Sequence, residues 1–286
     1  MIIGANKNLV IENIKKNAGQ GKFNNKVEVD DPNLSARQKH KIIRHYLHTR
    51  KTLSYRFFGF IARIIIDIVS GKENRTTEVV GLENVKDIKG GAFITSNHFN
   101  PLDSTVIRTF VKKHSRRKYF IVSQESNLAM KGFIGFIMRH AGVIPITSDK
   151  NYLEKVFPKL LKEKIRKKQF VLIYPEQEMW FNYRKPRPPK RGTYYYAAKM
   201  NVPVISCFTE IVDLPEKETE EFYKTKCILH VLKPIYPDPN LSVRENSIAM
   251  MNLDYEQKKE AYEQAYGKPL TYDFEPADIA GWVEAY

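Results

Sequence analysis

The stretch Thr95-Ser96-Asn97-His98-Phe99-Asn100-Pro101-Leu102-Asp103-Ser104 sets a carboxylate five positions after an imidazole, directly behind the apolar run Ala92-Phe93-Ile94. A carboxylate that holds one imidazole nitrogen leaves the other free to take a proton from a hydroxyl, which is the pairing of base and orienter that acyl transfer needs. Asn100-Pro101 reads as an N-cap followed by the first residue of a helix. His98 then lies on the loop and Asp103 in the first turn, close enough for the two side chains to meet. The carboxyl end of a strand is also where open α/β sheets carry their ligands. His98 and Asp103 are therefore the candidate catalytic pair, and Asn97 beside them is a candidate for binding substrate.

Two further segments have polar chemistry behind an apolar run or in a loop. Val171-Leu172-Ile173-Tyr174-Pro175-Glu176 delivers Glu176 at the end of a strand. Glu176 either orients substrate or its loop, or sits in a solvent salt bridge. Arg184-Lys185-Pro186-Arg187-Pro188-Pro189-Lys190-Arg191-Gly192 is too rich in proline for a helix. Its cations are dense enough to meet a phosphate, the alternative being a solvated loop.

The elements that must position these groups are legible along the chain. Short β-rich runs at 78–80, 91–95, 119–123, 143–147, 170–174, 202–208 and 226–232 alternate with helical or charged stretches, the pattern of an α/β sheet domain. Residues 35–51 form a basic helix with Ile42, Ile43, Tyr46 and Leu47 on one face. In 53–70 the polar residues Arg56, Arg63, Asp67 and Ser70 make one narrow stripe and nearly everything else is apolar. So broad an apolar face must be buried in a core or in the headgroup region of a membrane. The expected organisation is a low-order leader over 1–33, a basic and amphipathic helical pair over 34–75, a single mixed-sheet α/β domain flanked by helices over 76–240, and a helical extension over 241–286.

Composition narrows the partners. With 42% hydrophobic residues, the 286-residue chain can fill a core. Forty-seven Lys and Arg against 32 Asp and Glu give +15, which favours an anionic lipid surface, nucleic acid or a phosphorylated substrate. The cations are spread over several segments with no nucleic-acid-binding module, so nucleic acid is not expected. Two cysteines without metal-ligand spacing indicate neither a disulfide framework nor a metal site. The first residues lack the apolar run of a signal peptide, and no segment reaches the roughly 18 apolar residues of a membrane span.

The motif blocks, in their order from Val79 to Phe208, resemble the glycerolipid acyltransferase family that includes 1-acylglycerol-3-phosphate acyltransferases. Asn97-His98 through Asp103 is similar to its N-H-x-x-x-x-D block, Gly132 to Pro145 to its second block, and Tyr174-Pro175-Glu176 to its F-P-E-G-T-R block. Val202-Pro203-Val204-Ile205 is similar to its fourth, apolar block. The resemblance implies that His98 is a general base, with Asp103 its partner, for attack of an acceptor hydroxyl on the thioester of acyl-CoA or acyl-carrier protein. It implies no metal and no cofactor beyond that co-substrate.

Two departures concern the acceptor. Gln177-Glu178-Met179 stands where the family has Gly-Thr-Arg, and Ser148 stands where the second block ends in arginine. Replacement cations would be Arg139, Lys150, Arg184, Arg187 and Arg191, which makes Arg184 and Arg191 expected determinants of acceptor affinity. The expectation is a peripheral O-acyltransferase on the cytoplasmic face of an anionic membrane, with a lysophospholipid acceptor. The alternatives are a silent lipid-surface binding protein or transfer to a phosphate-free lipid.

Overall fold

A computed structural model of the chain describes residues 6–29, 34–115 and 117–285. Seven strands, β1 (Glu78–Val80), β2 (Ala92–Thr95), β3 (Tyr119–Gln124), β4 (Val143–Ile146), β5 (Phe170–Leu172), β6 (Val204–Lys217) and β7 (Tyr223–Val231), form one sheet in the order β1-β7-β6-β2-β5-β3-β4. β6, β2, β5, β3 and β4 run parallel, and β7 pairs antiparallel with β6 while holding β1 parallel to itself. The mixed sheet flanked by helices is the expected fold class.

The central strands are short and wholly apolar because both faces of the sheet are covered. Phe93 of β2 points to one side, among Val171, Val204, Leu161 and Tyr194. Its neighbours Ala92 and Ile94 point to the other, among Phe170, Leu172, Ile205 and Phe110. The first side is covered by α2 (Ala36–Thr49), α6 (Phe157–Arg166), α7 (Gly192–Met200) and α8 (Val243–Tyr266), and the second by α4 (Asp103–His114). After β1 the backbone turns at Gly81 with φ +81°, where an added Cβ would lie 2.2 Å from the Val231 carbonyl oxygen. Only glycine fits both demands.

Parts of the chain at both ends behave differently from expectation. Residues 7–19, expected within a low-order leader, form a helix, α1 (Lys7–Gly19). Val10, Ile11, Ile14 and Ala18 recur at helical spacing and bury themselves against Trp180, Phe181, Tyr183, Phe222, Ile279 and Trp282. The signal is faint in sequence because Asn and Lys separate those residues and their partners lie far away along the chain. Residues 1–5 and 30–33 of the same expected leader lie outside the described residues. At the other end, α8 is not an appended extension, since its Met250 enters the core beside the sheet and Asp254 is completely buried.

The expected helical pair consists of α2, opened by a Ser35/Gln38 capping box, and α3 (Leu53–Glu73), capped by Thr52. α3 packs with the Arg63, Asp67 and Ser70 part of its polar stripe inward, while Arg56 is exposed. Arg63 donates to the Tyr119 carbonyl (3.1 Å), Asp67 pairs with Arg108 (2.8 Å), and Ser70 is buried. Its outward row of Leu53, Phe57, Phe60, Ile64 and Ile68 is 45–79% exposed. Beside it, α5 (Gly132–His140) adds exposed Phe133 and Ile134, and Phe58 meets Phe136 edge-on across the joint. Among the described residues no helix is long and apolar enough to cross a membrane.

Ile11→Ala separates a packed helix from a loose leader. Cavity formation at this site is expected to cost about 2–5 kcal/mol, read as a lower urea midpoint at unchanged m-value, whereas a dispensable leader would leave the midpoint where it was.

Candidate active site

All five parallel strands end on the same edge of the sheet, and the loop after β2 carries the candidate pair. His98 Nδ1 lies 2.7 Å from Asp103 Oδ2. Asp103 is the first residue of α4, so its carboxylate sits in the positive field of the helix N-terminus. The same Oδ2 accepts from the backbone N–H of Phe99 (3.0 Å) and Asn100 (3.4 Å), while the Tyr174 hydroxyl donates to Oδ1. The helix begins two residues later than Asn100-Pro101 suggests. Asn100 Oδ1 instead accepts from the Leu102 N–H (3.1 Å), closing a short turn that swings Asp103 back toward His98.

The imidazole is fixed in plane as well as by its hydrogen bond. Its ring stacks on that of Tyr174, with centroids 3.9 Å apart and planes within 9°. Asp103 is 3% exposed and His98 21%, so the carboxylate is sealed while the base still reaches solvent. With Nδ1 held as the donor to a carboxylate, Nε2 is the nitrogen left to accept a proton. Burial and the neighbouring Asp103 charge push the Tyr174 hydroxyl well above its ordinary pKa. It therefore remains a donor.

Behind the imidazole, a buried ion pair clamps the backbone of His98. Glu176 Oε2 accepts from the His98 N–H (3.2 Å) and meets Arg187 Nη2 at 2.8 Å. Glu176 Oε1 accepts from the Arg187 N–H (2.9 Å), and the guanidinium reaches the carbonyls of His98 (3.2 Å), Phe23 (2.8 Å) and Glu178. The Trp180 N–H adds a bond to the His98 carbonyl (3.1 Å). Asn97 is committed to the sheet, its amide exchanging two bonds with the backbone of Thr209 on β6 (3.0 and 2.8 Å).

Several residues expected to bind substrate are engaged within the protein. Asn97, Glu176 and Arg187 are buried, with their polar atoms spent on backbone and on each other. Arg184 pairs with Asp213, donates to the Ile211 carbonyl (2.7 Å) and lies over the Tyr266 ring. Arg139 donates to the Met130 (2.8 Å) and Leu128 carbonyls, tying down the segment before α5. The proline-rich loop turns its cations inward because buried carboxylates await them, Lys185 against Asp278 (2.7 Å) being a further case. Arg191, at the start of α7, and Lys150, after β4, remain exposed. Ser148 lines a cleft of about 440 Å³ with Lys39, His40 and Arg44 of α2.

Other participants left no recognisable trace in the sequence. Asp254 of α8 is fully buried, where it accepts from Thr95 Oγ1 (2.8 Å), the Tyr194 hydroxyl and Lys258 Nζ (2.7 Å). It fastens α8 to the end of β2, three residues before His98. In sequence, Asp254 and Lys258 read as an ordinary i, i+4 surface pair. The turn after Glu176 keeps a left-handed residue, Gln177 at φ +72°, where the resembled family has glycine.

Residues 76–210 match the family model described as Acyltransferase. This stretch of the chain is similar to the acyltransferase family. The matched span runs from just before β1 into β6 and contains His98, Asp103, Tyr174, Glu176 and Arg187. Among solved structures, the 1-acyl-sn-glycerophosphate (LPA) acyltransferase PlsC from Thermotoga maritima is similar in fold, with a TM-score of 0.53 and 17% identity over 82% of this chain and 99% of that one. No curated protein matches the sequence. The match agrees with the resemblance carried by the motif blocks, and its span includes the sheet edge that bears His98 and Asp103.

If Arg187 is structural, Arg187→Ala leaves Glu176 as an unpaired buried carboxylate. The expected loss is about 3–5 kcal/mol of folding stability, seen in urea denaturation. A stable variant with only a raised substrate KM would return Arg187 to the binding surface.

Proposed function

We propose that the protein is a membrane-peripheral O-acyltransferase that moves a fatty acyl group from acyl-CoA or acyl-carrier protein to the hydroxyl of a lysophospholipid. The observation that carries this reading is the His98–Asp103 pair at the carboxyl edge of the sheet, with one imidazole nitrogen free. His98 Nε2 takes the proton of the acceptor hydroxyl as its oxygen attacks the thioester carbonyl. The tetrahedral intermediate then collapses, the C–S bond breaks, and the imidazolium returns its proton to the departing thiolate. Asp103 holds the ring and stabilises its charge at the intermediate stage. A thioester is already electrophilic, so positioning and a base account for the chemistry without a covalent acyl-enzyme.

Support for a membrane surface comes from the inverted packing of α3. Its apolar row and the neighbouring α5 side chains form one exposed apolar surface, of the kind that enters the headgroup boundary of a bilayer. The basic residues of α2 lie beside it in the chain, where each cation near an anionic leaflet adds roughly 1 kcal/mol of attraction. The +15 net charge acts in the same direction. The solved relative in fold is described as acting on 1-acyl-sn-glycerophosphate, which agrees with a lysophospholipid acceptor here. With Arg184 and Arg187 occupied internally, exposed cations that could meet an acceptor phosphate include Lys150, Arg191 and Arg44 of α2 in the cleft beside Ser148.

Two measurements test the reading. Purified protein is incubated with acyl-CoA or acylated carrier protein and a panel of lysophosphatidic acid, lysophosphatidylglycerol and a lysoglycolipid, while thiol release and lipid product are followed. His98→Ala is expected to lower kcat by about 100-fold or more. Absence of transfer by the wild type with either donor would leave a lipid-surface binding protein instead. Separately, Phe57→Glu with Ile64→Glu is expected to abolish sedimentation with anionic vesicles while leaving the thermal midpoint nearly unchanged, because both side chains face outward.

A further inference from the structure

We propose that Tyr174 is a positioning residue of the active site, the third member of a Tyr174–Asp103–His98 array whose hydroxyl sets the basicity of His98 through Asp103. The proposal rests on the reading of His98 as the base. The resembled family's third block begins with phenylalanine, and this chain has tyrosine at that position. The departure adds one oxygen to a ring that would stack on the imidazole either way.

That oxygen has a specific task. Asp103 is sealed from solvent, and three of its hydrogen-bond donors, His98 Nδ1 and the N–H groups of Phe99 and Asn100, all converge on Oδ2. Oδ1 receives only the Tyr174 hydroxyl among the described contacts. A buried carboxylate oxygen without a donor is costly, and hydrogen bonds to charged groups are the strong ones. By drawing charge toward Oδ1, the hydroxyl weakens the pull of Oδ2 on the imidazole proton. Without it, Oδ2 is more negative and the imidazolium is better stabilised. The sign follows: loss of the hydroxyl raises the pKa of His98, and a stronger donor lowers it.

The surroundings leave this coupling undisturbed. From the loop after β5, Glu176 and Arg187 neutralise each other at 2.8 Å. On α4, Arg108 is paired with Asp67 of α3. Tyr119 of β3 and Cys207 of β6 are buried and Cys227 of β7 is half-buried, and desolvation lifts each above its ordinary pKa, so all three stay neutral. The ring contributes independently. Stacked within 9° of the imidazole plane, it prevents His98 from rotating Nε2 away from an incoming hydroxyl.

The test is an NMR titration of the full chain with ¹⁵N-labelled histidine, His98 being assigned by its absence in His98→Ala. In Tyr174→Phe, which keeps the ring, the His98 midpoint is expected to rise by roughly 0.5–1 pH unit. Site-specific 3-fluorotyrosine at position 174, a near-isosteric and stronger donor that keeps the hydrogen bond, is expected to move it the other way, and serves even if the phenylalanine variant is unstable. Where turnover is measured, the acid limb of kcat/KM follows the same shifts. Tyr174→Leu lowers kcat further at unchanged acceptor KM because the stack is lost. Unchanged midpoints overturn the proposal, as does a fall in kcat in Tyr174→Phe without any displacement of the titration. The titration needs no acyl transfer, so its failure is distinguishable from failure of the proposed activity.

Discussion

Glu176 and Arg187 are each buried to within a few percent, a situation in which desolvation of two charges outweighs their attraction unless nearly every lone pair and N–H is also satisfied. Here that condition is met by backbone. Glu176 accepts from two backbone N–H groups, those of His98 and Arg187, and the guanidinium fills three carbonyls from three parts of the chain. The pair therefore cannot form until the loops after β2 and β5 and the segment following α1 have all assembled around it. In return, the N–H and carbonyl of His98 are both held, and the imidazole projects from a fixed backbone.

Much of the rest follows from that requirement. The N-terminal helix is ordered because Phe23 must present its carbonyl to Arg187 and because Val10, Ile11 and Ile14 cover Trp180 and Phe181, which flank the clamp. Asn97 and Thr95 anchor the end of β2 from the other side, through Thr209 and Asp254. Catalytic groups on loops are only as precise as the scaffold that holds them. In this molecule the scaffold is polar and buried, and it surrounds the base on several sides.

The helical pair obeys a different logic. α3 turns Arg63 and Asp67 toward the body, where they find a carbonyl and a guanidinium. Its phenylalanines and isoleucines are left facing out. An apolar surface of this kind is unfavourable in water and favourable against lipid, so the arrangement that is costly for a free protein suits one that works at a bilayer. The proposed chemistry and the proposed docking surface share one body, joined where α3 packs on α4, the helix that begins with Asp103.

The strands, the basic and apolar helices, and the pairing of His98 with Asp103 were readable from the sequence, because each depends on local order. Period and apolar runs mark elements that bury a face, and a spacing of five across a turn brings two side chains together. What the other polar residues do was not readable. Glu176, Arg184 and Arg187 have the residue types of a phosphate site, but each met a buried partner that lies far along the chain or comes from the turn of a loop. Asp254 and Lys258 look like a surface pair, and Tyr174 looks like a strand residue until its hydroxyl reaches Asp103. The sequence by itself determined most of the packing elements and the placing of His98 beside Asp103. Only the tertiary structure decided which charges face inward, since a charged side chain is buried or exposed according to whether distant parts of the chain supply its counter-charge and hydrogen bonds.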